Sequence, residues 1–135
     1  MKYYYAAFFV AMNEIIISLT NHLIKINVQR PRPAHHHYVY AGGFSFPSGH
    51  SSGSFALYIS LLIVIFIIAK KLSTKVTFSI VAIGLVALIG YSRIFLGVHY
   101  PSDVVGGYLL AATILTFTTL LFRAKDLSIL KLKGV

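Results

Sequence analysis

An all-α bundle of about four membrane-spanning helices is predicted, on three observations. Hydrophobic residues make up 57% of the 135-residue chain and charged residues only 11%, where a soluble domain carries about 25% charged residues. Mean hydropathy is +0.79. Four apolar runs stand at about residues 3–24, 51–69, 76–91 and 104–122, each bounded by charge or by Pro and Gly. A membrane helix needs roughly 17–25 residues; the first, second and fourth runs meet this comfortably, and the third is at the short end. The whole chain, 1–135, reads as one domain.

The first run follows Lys2 and contains Asn13, Glu14 and Asn21. A secretory leader has an unbroken apolar stretch followed by a small-residue cleavage site. These polar residues break the stretch and no such site follows, so the run reads as a retained helix whose polar groups face its neighbours. Residues 25–50 form a long connection. It holds every proline but one, a Gly-rich patch and His35, His36 and His37. Connections longer than about 12–15 residues are often functional. The three histidines read as exposed imidazoles of this loop rather than as a metal site. The second and third runs are joined by a short basic link with Lys70, Lys71 and Lys75. The fourth is followed by a basic tail.

With four spans, both termini and the 70–75 link share one side. That side carries Lys2, Lys70, Lys71, Lys75, Arg123, Lys125, Lys131 and Lys133; the other carries Lys25, Arg30, Arg32 and Arg93. The Lys/Arg excess marks the first side as cytoplasmic, so the long loop and the third connection face outward. The formal charge of +9 therefore reads as membrane flanks. A nucleic-acid partner is excluded, because no basic face interleaved with aromatics exists outside the apolar runs.

The chain has no cysteine, which removes disulfides, zinc–thiolate sites and thiol nucleophiles. Glu14, Asp103 and Asp126 are its only acidic residues, too few for a carboxylate-held metal pair. The two outward segments are nevertheless dense in polar groups. The first holds Lys25, Arg32, Ser48, Gly49 and His50; the second holds Ser92, Arg93, His99 and Asp103. Three cations, two imidazoles and one carboxylate on one side suit a phosphoryl group. Transfer of that group relies mainly on positioning and charge neutralisation, and arginine's fork matches phosphate oxygens. Pro47, Ser48, Gly49 and His50 lead into an apolar helix, with Pro47 expected in its first turn, where free N–H groups attract anions. Pro101 is expected to open the fourth helix. His99 then stands just before it and Asp103 in its first turn, where Asp103 can orient the His99 ring for attack. His50 is left to move the proton.

These stretches resemble the type-2 phosphatidic acid phosphatase superfamily, which includes the vanadium haloperoxidases. Its Lys–six residues–Arg–Pro stretch matches Lys25, Arg32 and Pro33. Its Pro-Ser-Gly-His stretch matches residues 47–50. Its Ser-Arg–five residues–His–three residues–Asp stretch matches Ser92, Arg93, His99 and Asp103. The resemblance implies a bacterial-type membrane hydrolase acting on a lipid phosphate or diphosphate: undecaprenyl diphosphate, phosphatidylglycerophosphate or phosphatidic acid. It implies a phosphohistidine on His99, oriented by Asp103, with His50 protonating the leaving group. Lys25, Arg32, Ser48, Gly49 and Arg93 would bind the phosphate. No metal or cofactor is expected, and the site would face the outer side. A soluble haloperoxidase does not fit the apolar spans. A phosphotransferase using another lipid or sugar as acceptor, and a truncated non-catalytic membrane protein, are the alternatives. Family members in membranes usually have six helices, with the signatures after the third. About two N-terminal helices are therefore expected to be lacking here, in a compact variant or a piece of a longer protein. Arg30 lies outside the signatures and reads as a headgroup contact; Glu14 reads as an interhelical hydrogen-bonding group. No oligomeric state follows from the sequence.

Overall fold

The computed structural model describes residues 4–34 and 37–124. Its elements are α1 (Tyr4–Val28), α2 (Gly49–Ile68), α3 (Leu72–Phe95) and α4 (Pro101–Ala124). All four are long and apolar enough to cross a membrane, and the chain is a multi-pass membrane protein. Lys2, His35, His36, Lys125, Asp126, Lys131 and Lys133 lie outside the described residues.

The helices run longer than hydropathy predicts, and each extension carries polar residues. α1 continues four residues past the expected end and keeps Lys25 in its last turn. Ile26, Asn27 and Val28 contain no breaker, and a cation near a helix C-terminus suits the macrodipole. Gln29 then takes a left-handed conformation, φ 50°, and its N–H still bonds to Lys25 O. The chain turns back over the helix end there. Pro47 is not in the first turn of α2, as expected from sequence. Ser48 is the N-cap, its Oγ accepting from Ser51 N, so Pro47 stands outside and Gly49 and His50 occupy the first turn. α3 begins at Leu72 and reaches Phe95, taking in Ser73, Thr74 and Lys75 at one end and Ser92 and Arg93 at the other. Helical geometry satisfies the backbone there whatever the side chains are. α4 opens at Pro101, as predicted.

α2 packs against all three other helices, α1 also meets α4, and α3 barely touches α4. Phe9, Ile17, Ala56, Ala111, Leu115 and Phe122 form the core, with Phe9 and Phe122 edge to face at 5.5 Å. Lipid gives apolar surfaces no reason to leave it, so helices associate through small residues and hydrogen bonds. Both devices are present. Asn13 donates to Phe9 O and accepts from Thr118 Oγ1 of α4 at 2.7 Å. Asn21 donates to Ser52 Oγ of α2 at 3.0 Å. At Gly107, α4 crosses so close to α2 that an added Cβ would stand 2.7 Å from Ser48 O. Glu14 departs from its expected interhelical bond: its Oε1 is buried without a hydrogen-bond partner among the described residues.

The crossing at Gly107 is open to test. Gly107→Val should lose about 1–3 kcal/mol through overpacking, read as a lower thermal midpoint in detergent. Gly84→Ala, which meets nothing within 4 Å, should keep or raise it.

Candidate active site

Four segments converge at one end of the bundle: the last turn of α1, the 29–48 connection, the start of α2, and the turn between α3 and α4. Asp103 joins three of them. It is fully buried. Its Oδ2 accepts from Tyr100 N at 2.9 Å and from His99 Nδ1 at 3.3 Å. Its Oδ1 accepts from Arg30 Nη1 at 2.9 Å. Its main-chain oxygen accepts from Ser48 N at 2.9 Å. The start of α4 and the N-cap of α2 are thereby fastened together.

His99 is buried between two partners. Asp103 lies on Nδ1, and Arg32 Nη1 lies 3.3 Å from Nε2. A guanidinium only donates, so Nε2 is the acceptor and the proton sits on Nδ1, facing the carboxylate. Burial, and next the cationic Arg32, bring the His99 pKa down from the ordinary histidine value to about 4. The ring is therefore neutral near pH 7, with its Nε2 lone pair directed at a cation. Gly97, at φ 73°, makes the tight turn that brings His99 back toward α2.

Arg32 is anchored on main-chain oxygens. It donates to Gly42 O, Gly43 O and Val98 O, which fixes the glycine patch of the long loop. Lys25 Nζ donates to Pro47 O at 2.6 Å, tying α1 to the segment before α2. Arg93, in the last turn of α3, donates from Nε to Ser92 Oγ at 3.1 Å. Its Nη groups carry no hydrogen bond among the described residues. His50 is exposed in the first turn of α2, within electrostatic range of Arg93, Arg32 and Lys25. Beside it, the first-turn N–H groups of α2 have no intrahelical acceptor. Lys25, Arg32, Ser48, Gly49, His50, Arg93, His99 and Asp103 therefore gather at one end.

The group can seat a tetrahedral anion between cations and a helix N-terminus, beside a neutral, oriented imidazole. No three His, Cys, Asp or Glu side chains among the described residues are grouped to hold a metal ion. His37 instead bonds through Nε2 to Pro33 O.

Two supporting residues, Ser45 and Ser52, were not identified from sequence. Ser45 is fully buried, and its Oγ donates to Pro31 O while its N–H donates to Arg30 O. Ser52 accepts from Asn21, expected to face a neighbouring helix, and so braces α1 against α2. The only signal at Ser45 and Ser52 was polarity inside or beside apolar runs. Arg30, outside the signature stretches, pairs with Asp103.

A family model described as PAP2 superfamily matches residues 3–126. The chain is 35% identical over 94 residues to phosphatidylglycerophosphatase B of Bacillus subtilis, covering 67% of this chain and 45% of that protein. It is 38% identical over 112 residues to undecaprenyl-diphosphatase BcrC of the same organism, covering 79% and 51%. The crystal structure of a transmembrane PAP2 type phosphatidylglycerolphosphate phosphatase from Bacillus subtilis superposes with a TM-score of 0.75 at 31% identity, over 92% of this chain and 64% of that one. The chain spans about half the length of these two curated relatives.

The environment of His99 is directly measurable. Its ring protons should titrate near pH 4 by NMR. In Arg32→Gln, loss of the neighbouring cation should move that titration up toward the ordinary histidine value of about 6.5. An unchanged midpoint would contradict the Arg32–Nε2 contact.

Proposed function

The chain belongs to the PAP2 superfamily, and from that membership we propose a membrane lipid phosphate phosphatase or diphosphatase that works through a phosphohistidine. What supports this reading above all is the pair of contacts on His99: a carboxylate on Nδ1 and a guanidinium at Nε2. The first orients the ring and favours the charge that develops on it. The second stands where phosphoryl oxygens need a cation as the N–P bond forms.

His99 Nε2 attacks phosphorus. The bond from phosphorus to the lipid-side oxygen breaks, and His50 gives that oxygen its proton. His50 then takes a proton from water, which attacks the phosphohistidine and releases phosphate. Lys25, Arg32, Arg93, the Ser48 hydroxyl and the N–H groups at the start of α2, Gly49 among them, hold the three non-bridging oxygens through both steps. Fixed side-chain cations supply the neutralising charge, so no metal is required. The substrate is a lipid phosphomonoester or diphosphate, the chemistry that both curated relatives' names carry.

The site end faces outward. The opposite end carries Lys70, Lys71, Lys75 and Arg123, and by sequence also Lys2 and the basic tail. The cations at the site end are there for phosphate.

His99→Ala should abolish phosphate release from phosphatidylglycerophosphate and undecaprenyl diphosphate in detergent. Arg93→Ala should lower kcat about 10²–10³-fold. Both activities should survive EDTA. Full turnover in His99→Ala would sink the assignment. The chain lacks cysteine, so topology is read with single cysteines. In intact cells an impermeant maleimide should label Tyr40→Cys, at a residue 98% exposed, and spare Lys70→Cys; the reverse pattern would invert the orientation.

A further inference from the structure

We infer that Arg30, which lies outside the three signature stretches, is a positioning residue that sets the Asp103 carboxylate against His99. This inference rests on the phosphatase reading above. A carboxylate with two competent oxygens can turn about its last bond and present either one. Asp103 has no water to occupy the oxygen left over, because it is fully buried. Arg30 fills that need: Nη1 donates to Oδ1 at 2.9 Å, leaving Oδ2 for His99 Nδ1 and Tyr100 N.

Arg30 is itself held in three ways. Nη1 also donates to Ser102 Oγ at 2.7 Å. The guanidinium lies over the Tyr100 ring, 4.3 Å from its centroid. Its main-chain oxygen accepts from Ser45 N at 2.8 Å, after the left-handed turn at Gln29 has folded the chain back. Tyr100 and Ser102 flank Pro101 between His99 and Asp103, so Arg30 grips the whole segment that carries both functional groups. A planar, always charged fork suits this grip; an ammonium cannot lie flat on the ring.

The geometry also separates Arg30 from phosphate binding. Along the row Arg30, Asp103, His99, Arg32 the contacts are 2.9, 3.3 and 3.3 Å. Arg30 and the Nε2 face therefore lie at opposite ends of the Asp103–His99 pair. Removing Arg30 should act on turnover and leave substrate binding in place.

The test is full-chain kinetics in detergent on a lipid phosphomonoester. Arg30→Gln should lower kcat about 10- to 100-fold, the range for losing a partner that orients a functional ligand, with KM within about threefold. Arg30→Lys should recover part of that loss. In an Asp103→Asn background, Arg30→Gln should cost little more, since its effect passes through the carboxylate. A wild-type kcat in Arg30→Gln would overturn the inference. So would a raised KM at unchanged kcat, which would make Arg30 a headgroup contact. So would losses that multiply fully in the double variant, the readout to use if Arg30→Gln is only less stable. His99→Ala, run beside these, reports on the phosphatase reading separately: inactive His99→Ala with wild-type-like Arg30→Gln rejects the Arg30 inference alone.

Discussion

A carboxylate sealed from water must have its oxygens occupied by donors that the fold itself supplies. At Asp103 those donors come from His99, Tyr100 and Arg30, and the residue's own main-chain oxygen takes the N–H of Ser48. One residue thus joins the long connection, the turn before α4 and the start of α2. The tautomer of His99, the placing of its Nε2 and the closeness of the α2 N-terminus all follow from satisfying that one side chain and its peptide. Gly107 belongs to the same constraint. Only a residue without Cβ lets α4 come near enough to Ser48 for the Asp103–Ser48 bond to close.

The rest of the bundle follows from its solvent. Lipid leaves apolar faces unpaired at no cost, so large residues such as Phe8, Leu88 and Phe117 point outward. The interior is built from small and polar groups instead. Asn13 with Thr118 and Asn21 with Ser52 are contacts that a soluble helix pair would replace with leucines. Such bonds contribute about 0.6–2 kcal/mol each in a membrane. They also fix rotation about the helix axes, which Lys25 needs, one turn beyond Asn21, to reach Pro47 O.

The number and kind of elements were legible because long apolar runs have one stable solution in a bilayer. Their ends were not, because Lys25, Ser73, Thr74, Ser92 and Arg93 read as loop by hydropathy yet continue a helix whose backbone bonds do not depend on side-chain polarity. Spacing along the chain made the His99–Asp103 pair legible, since four residues around a helix start bring the two within reach. Arg30 was not legible in its role. Its partner is 73 residues away, and only the turn at Gln29 decides that it faces Asp103 rather than solvent. Ser45 was silent for the same reason: its bonds hold a loop whose course no local pattern announces.

In the proposed phosphohistidine mechanism, His99 Nε2, oriented by Asp103, takes the phosphoryl group. Rapid acid-free quenching of the protein with substrate labelled in the phosphoryl group, followed by peptide mapping, tests it most directly. The label should appear on the peptide containing His99, stable to base and lost in acid as an N–P bond is. The label should persist longer in His50→Ala, where water is not activated. A label on another residue, or steady turnover with no labelled protein under conditions that trap a control phosphohistidine, would contradict it.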